Sequence, residues 1–267
     1  VSDIPTPLTF VDPTESSDLY CTVLWAAPGA GKSVLAASAP PPIVALTADR
    51  PGAYRFARKH HGLTVESLRE VRYVNAATLD EVYVYLKRST DVKTFVLDPF
   101  SNIYDKLCDE APAGREGGPD YQWVNKKLLG FLKALHGLPI HVVIVAHERL
   151  NDGKKGDGKL YPALGGPALM NKVLAEVDIV AHVERSNGSE ETEPQWGAQL
   201  QPRGNLVTKD STGALGDRRL GDLTEWFDTA SAELKVDNSD LPFDEAFAEL
   251  ADEGDVVDQG TLDEAAA

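Results

Sequence analysis

The chain has 267 residues, with 42 Asp and Glu against 26 Lys and Arg and a formal net charge of -16. That length holds one substantial α/β domain with additions and excludes two large ones, and two cysteines exclude a disulfide framework or a zinc site. No apolar run approaches bilayer length and no basic stretch followed by an apolar one opens the chain, so the expectation is a cytoplasmic protein with reduced thiols and no membrane partner.

Residues 1–18 are rich in Pro, Ser, Thr and Asp and read as an extended lead-in. The apolar run from Leu19 to Trp25 predicts a strand, and Ala26-Ala27-Pro28-Gly29-Ala30-Gly31-Lys32-Ser33 follows it directly, ahead of Val34-Leu35-Ala36-Ala37. Strand, glycine-rich turn and helix start, in that order, are what a phosphate-binding P-loop requires. The turn points backbone N–H groups inward, the helix N-terminus adds its dipole, and Lys32 reaches the outer phosphates. Residues 27–34 are thus the candidate nucleotide-binding segment, with the Ser33 hydroxyl placed for a magnesium ion. Ala26 departs from the stricter glycine at the first position of the pattern.

The P-loop helix, expected from about Gly31 to Ala39, is stopped by Pro40-Pro41-Pro42. Ile43 to Thr47 reads as a strand buried on both faces, leading to Asp49. Val71 to Val74 predicts a short strand, and Thr78-Leu79-Asp80-Glu81 spells a capping box that opens a helix. Thr94 to Asp98 is another buried strand, ending in a carboxylate, and a Gly- and Pro-rich loop is expected from about Ala111 to Pro119. Tyr121, Val124, Leu128, Phe131, Leu132 and Leu135 mark one face of an amphipathic helix. A strand from His141 to Ala146 ends in His147-Glu148-Arg149, and Asn151 to Pro167 reads as a mobile loop. A short helix (Ala168 to Leu174), a strand (Val177 to Val183), a turn at Asn187-Gly188 and short strands near residues 199–201 and 206–207 complete the core. From residue 233 onward twelve residues are acidic and one is basic, so this stretch is expected to be disordered.

This alternation predicts an α/β fold whose mostly parallel sheet carries helices on both faces, over residues 19–232. In such a sheet ligands sit beyond the carboxyl ends of the strands. Asp98 fits the carboxylate that orders magnesium, or caps the turn at Pro99. Asp49, on a strand expected beside the P-loop, reads either as the carboxylate that activates water or as a helix N-cap. His147 and Glu148, on a strand expected next to the P-loop, are candidates to contact the γ-phosphate or prepare water, with a satisfied structural histidine as the alternative for His147. Lys154, Lys155 and Lys159 among glycines either track a nucleic-acid backbone or are solvated surface lysines.

Taken together, Ala-x4-Gly-Lys-Ser, the strand ends at Asp49 and Asp98-Pro99-Phe100, Val-Ile-Val-Ala-His-Glu and the Gly-rich loop resemble the RecA-like P-loop ATPases of phages. The pattern is most similar to the Sak-type single-strand-annealing ATPases, over about residues 19–228. The resemblance implies ATP and Mg2+ as ligands, and single-stranded DNA as partner through the loop of residues 151–166. It implies a homo-oligomeric ring or filament with ATP at the subunit interface, and the host cytoplasm as its location if the chain is phage-encoded. Asp49 matches a strand end where RecA-like proteins carry a catalytic Glu, and His147-Glu148 match the pair that couples γ-phosphate to the DNA loop. Lys209 matches the lysine that enters a neighbour's site; Ser211 stands where an Arg is common, leaving either Arg218 or Arg219 as a substitute or a weaker contact between subunits. The expected function is DNA annealing or strand exchange driven by ATP, with a helicase-type motor, or a loader recruiting partners through the acidic tail, as the alternatives.

Overall fold

The strand that leads into the P-loop, β1 (Cys21–Ala26), is buried along its whole length and lies at the centre of the sheet. The structure is a computed structural model that describes residues 18–50, 52–114, 117–151, 157–185 and 196–234. Chain order continues with α1 (Lys32–Ala36), β2 (Ile43–Thr47), α2 (Arg55–His60), β3 (Leu68–Arg72), α3 (Ala76–Arg88), β4 (Thr94–Asp98), α4 (Phe100–Glu110) and α5 (Tyr121–His136). It ends with β5 (His141–Leu150), β6 (Leu160–Pro162), α6 (Pro167–Glu176), β7 (Ile179–Arg185), β8 (Trp196–Gln199), β9 (Lys209–Asp210), β10 (Arg218–Leu220) and α7 (Leu223–Leu234).

The strand order is β10-β8-β7-β1-β5-β4-β2-β3, and the six strands from β7 to β3 are parallel. β8 and β10 extend the sheet antiparallel beyond β7, β9 pairs antiparallel with β7, and β6 folds back on the end of β5. Continuous apolar runs in β1, β2, β4 and β5 follow from burial on both faces of a parallel sheet. On one face Cys21, Val23, Trp25, Val142 and Ile144 pack against α3, α4, α5 and α6. On the other, Leu24, Ala26, Val143, Val145 and Ala181 pack against α1, α2 and α7. The expected mostly parallel α/β sheet with helices on both faces is therefore the observed one. Among the described residues no helix is long and apolar enough to cross a membrane.

Several elements differ from the sequence-based expectation. β2 does not lie beside the P-loop strand; β5 and β4 stand between them. The third strand starts at Leu68, because its register against β2 pairs Ile43 with Leu68. Helix α3 starts earlier, with Asn75 as N-cap, and Thr78 is the reciprocal partner of that capping box. Tyr121 is 55% exposed and does not belong to the buried face of α5. The stretch expected as a mobile loop contains β6, which pairs Arg149 with Tyr161 and Leu150 with Leu160, so β5 continues four residues past Ala146 into a hairpin arm. Helices α4 and α7 lie outside the sequence-based expectations. Residues 1–17, the Asn187-Gly188 turn and the acidic stretch from residue 235 lie outside the described residues.

Candidate active site

The turn after β1 is made possible by two glycines in left-handed conformation, Gly29 (φ 82) and Gly31 (φ 94), the latter the N-cap of α1. A left-handed residue followed by helical ones turns successive N–H groups to one side, the arrangement that binds phosphate oxygens. Lys32 is buried, and its ammonium donates to the carbonyl oxygens of Ala26 (2.9 Å) and Ala27 (2.8 Å). Burial pulls the Lys32 pKa down, with Asp98, Glu148 and Asp49 acting against that fall. Ala30 packs against the core side of the loop.

Asp98, the last residue of β4, is 4% exposed. Its Oδ2 accepts from the Ser33 hydroxyl at 2.6 Å and from the Tyr54 hydroxyl at 2.7 Å. Burial pushes the Asp98 pKa up, and the two hydroxyl donors hold it back by stabilising the charged form. Two separate strand ends, β1 with its loop and β4, are tied here through a serine and a carboxylate.

A cavity of about 370 Å³ opens over this pair, lined by Pro28, Gly29, Gly31, Lys32, Ser33 and Val34 of the cradle and by Asp49, Asp98 and His147. His147 reaches it because it pairs in register with Ala26 and, like Val143 and Val145, falls on the α1 side of the sheet. Its Nδ1 is buried without a hydrogen-bond partner among the described residues. Asp49 is no helix cap, since Tyr54 caps α2; its Oδ1 accepts from Asn102 Nδ2 at 2.8 Å, while Lys106 donates to the Ala48 carbonyl at 3.0 Å. Helix α4 thus holds the turn that carries Asp49.

The family described as AAA domain matches residues 19–212, which span the P-loop, Asp49, Asp98 and the β5–β6 arm. The chain belongs to this AAA domain family. It is a P-loop ATPase, and the matched residues include the glycine-rich turn and the hydrogen-bonded Ser33–Asp98 pair. Among solved structures, a KaiC-like protein from the hyperthermophilic archaeon Pyrococcus horikoshii OT3 is similar, with a TM-score of 0.43 and 14% identity, covering 67% of this chain and 77% of that one. No curated protein matches the chain.

Other expected site residues of this ATPase fall elsewhere. Glu148 points to the opposite face of the sheet from His147, 3.9 Å from His182 Nε2, and is not among the residues lining the cavity. Strand alternation explains the split: Val142, Ile144 and Ala146 face α5, and Glu148 follows them. Lys209 sits level with Val180, in the half of the sheet away from the P-loop, and its ammonium donates to the Val177 carbonyl at 2.6 Å and the Leu174 carbonyl at 3.4 Å. It closes the C-terminal end of α6 within its own chain. Arg218 pairs with Glu184 at 2.8 Å and Arg219 donates to Thr229 at 2.6 Å. Lys159 is exposed on the hairpin arm, whereas Lys154 and Lys155 lie outside the described residues.

Phe56, Arg185 and Trp196 also line the cavity and were not among the expected site residues. Arg185 and Trp196 face each other across the β7–β8 pair, with the guanidinium 5.6 Å from the indole ring. Only the register of that antiparallel pair brings Trp196 to the P-loop, and a 10-residue segment (186–195) separates it from β7. No local sequence signal carries such a register. Among the described residues no group of three or more His, Cys, Asp or Glu could hold a metal ion by itself.

Proposed function

We propose that this ATPase hydrolyses a magnesium–ATP complex and couples that turnover to single-stranded DNA, promoting annealing or strand exchange as a homo-oligomeric ring or filament. On the nucleotide side, Ser33 and Asp98 supply hard oxygen donors 2.6 Å apart, too few to hold a magnesium ion alone and suited to one that arrives with phosphate oxygens. When bound, such an ion neutralises phosphate charge and orders the triphosphate. Lys32 holds an ammonium in the cradle for the phosphates. Asp49, oriented by Asn102, takes the proton of the attacking water, and His147 Nδ1 answers the γ-phosphate.

The observation that carries the DNA side is the continuity of β5. One strand runs from His147 at the cavity to Leu150 on the hairpin arm, so a shift at the phosphates is felt along a rigid element. Arg149 and Lys159 are exposed on that arm, and Tyr161 adds an aromatic ring whose hydroxyl donates to Asp157 at 2.6 Å. Cationic side chains beside an aromatic suit a single strand, through phosphate neutralisation and base stacking. The resemblance of the P-loop, Asp98 and His-Glu motifs to the Sak-type annealing ATPases supports the same reading. The oligomer and a protein partner for the acidic C-terminal stretch are part of this proposal.

Anisotropy of a labelled single-stranded oligonucleotide, titrated with protein and a non-hydrolysable ATP analogue, tests the arm. The double variant Arg149→Glu, Lys159→Glu is expected to weaken binding at least tenfold at low salt, an order-of-magnitude figure for two reversed phosphate contacts. Unchanged binding removes the arm as the DNA contact.

A further inference from the structure

Tyr54 stands in the turn between β2 and α2, the same turn that carries Asp49. It is fully buried, packed with Leu35, Ala57 and Leu68, and does not line the cavity. A phenylalanine would fill this space equally well, so packing does not account for the hydroxyl. That hydroxyl donates to Asp98 Oδ2 at 2.7 Å, the oxygen that also accepts from Ser33. Burial raises the Tyr54 pKa well above its ordinary value, which keeps the hydroxyl a donor.

We propose that Tyr54 is a positioning residue that fixes the Asp98 carboxylate in the orientation needed by the magnesium–nucleotide complex. The inference rests on the magnesium reading given above. A carboxylate at a strand end turns readily about its last bond, whose rotamer wells are broad. Ser33 restrains it from the cavity side, where the same hydroxyl is also a donor group for the metal. Tyr54 restrains it from the core side and has no second task. Because the tyrosine belongs to the β2–α2 turn, it also ties the position of Asp98 to that of Asp49.

Binding of a fluorescent ATP analogue, measured in EDTA and across a magnesium titration, separates this role from a structural one. Tyr54→Phe is expected to raise the magnesium concentration for half-maximal binding about tenfold, the effect of losing one charge-assisted hydrogen bond. Binding in EDTA is expected to stay within about twofold of the wild type, because the cradle itself is intact. In an Asp98→Asn background the same substitution is expected to shift the magnesium midpoint less than about twofold, since neutral partners couple weakly. A wild type that responds to magnesium while Tyr54→Phe leaves the midpoint unmoved overturns this inference alone. So does an equal shift with and without the Asp98 carboxylate, or a parallel loss of binding in EDTA with a lowered melting temperature, which assigns Tyr54 to structure. A wild type indifferent to magnesium overturns the magnesium reading and the inference together.

Discussion

Gly31 has no room for a side chain. Its φ of +94 is a backbone conformation that L residues rarely adopt, and a Cβ placed there would stand 1.8 Å from the indole nitrogen of Trp196. Gly29, with φ +82, has nothing within 4 Å of its Cβ position. The two glycines therefore separate strain from crowding. Gly29→Ala is expected to cost about 1 kcal/mol of stability, the left-handed penalty alone. Gly31→Ala is expected to cost more, because Trp196 must also move, and to change tryptophan emission as it does; chemical denaturation followed by fluorescence reads both. Asp98 offers a second residue-scale prediction. Its folded pKa is raised by burial, so the folded state holds the proton more tightly than the unfolded one. Stability linked to this group is present below the ordinary carboxylate pKa and is lost as pH rises through the folded value. At neutral pH the charged group destabilises the fold, and Asp98→Asn is expected to raise the melting temperature while abolishing hydrolysis. A lowered melting temperature would show that the Ser33 and Tyr54 hydrogen bonds outweigh the burial of charge.

At the scale of elements, α7 closes the sheet face that carries the P-loop helix. Leu223, Trp226, Phe227 and Ala230 are all buried, at the i, i+3, i+4, i+7 spacing of one helical face. Phe227 stacks on His141 at 4.5 Å, and the His141 Nδ1 accepts the Tyr20 N–H. Burial lowers the His141 pKa from its ordinary value to about 4, with Asp228 and Asp18 opposing the fall. The unfolded chain takes up this proton first as pH drops. The contribution to stability is complete above the unfolded pKa and lost as pH falls toward 4, an effect on the order of 2 kcal/mol after allowance for residual solvent. Melting curves between pH 7 and pH 4 are expected to show this loss, and His141→Gln to flatten it. The same helix illustrates what was legible in the chain. The P-loop, β2, β4 and the buried face of α5 could be read directly, because each is an uninterrupted apolar run or a clean helical period. Helices α4 and α7 carry the same period, but Ser, Asn, Asp and Thr between the apolar positions dilute it, and α7 borders the acidic stretch. That Ser33, Asp49, Asp98 and His147 would meet at one cavity was legible because a parallel sheet collects its strand ends at one edge. Their second partners, Tyr54, Asn102 and Trp196, were not, because each depends on tertiary register.

For the molecule as a whole, charge is distributed in a way that the total conceals. The acidic stretch from residue 233 carries twelve of the 42 acidic residues and one basic residue, leaving the rest of the chain near balance with 30 acidic and 25 basic. A near-neutral body with an arm that exposes Arg149 and Lys159 can approach a polyanion, whereas a uniformly acidic one would repel it. The arm and the cavity are two ends of one strand, so in the proposed function nucleic acid on the arm regulates hydrolysis. The rate of ATP hydrolysis with single-stranded DNA, with duplex DNA and with no nucleic acid measures this coupling directly. The proposed coupling predicts a rate raised about tenfold or more by the single strand, less by duplex, and lost in Lys32→Ala under every condition. Equal rates in all three conditions would contradict it.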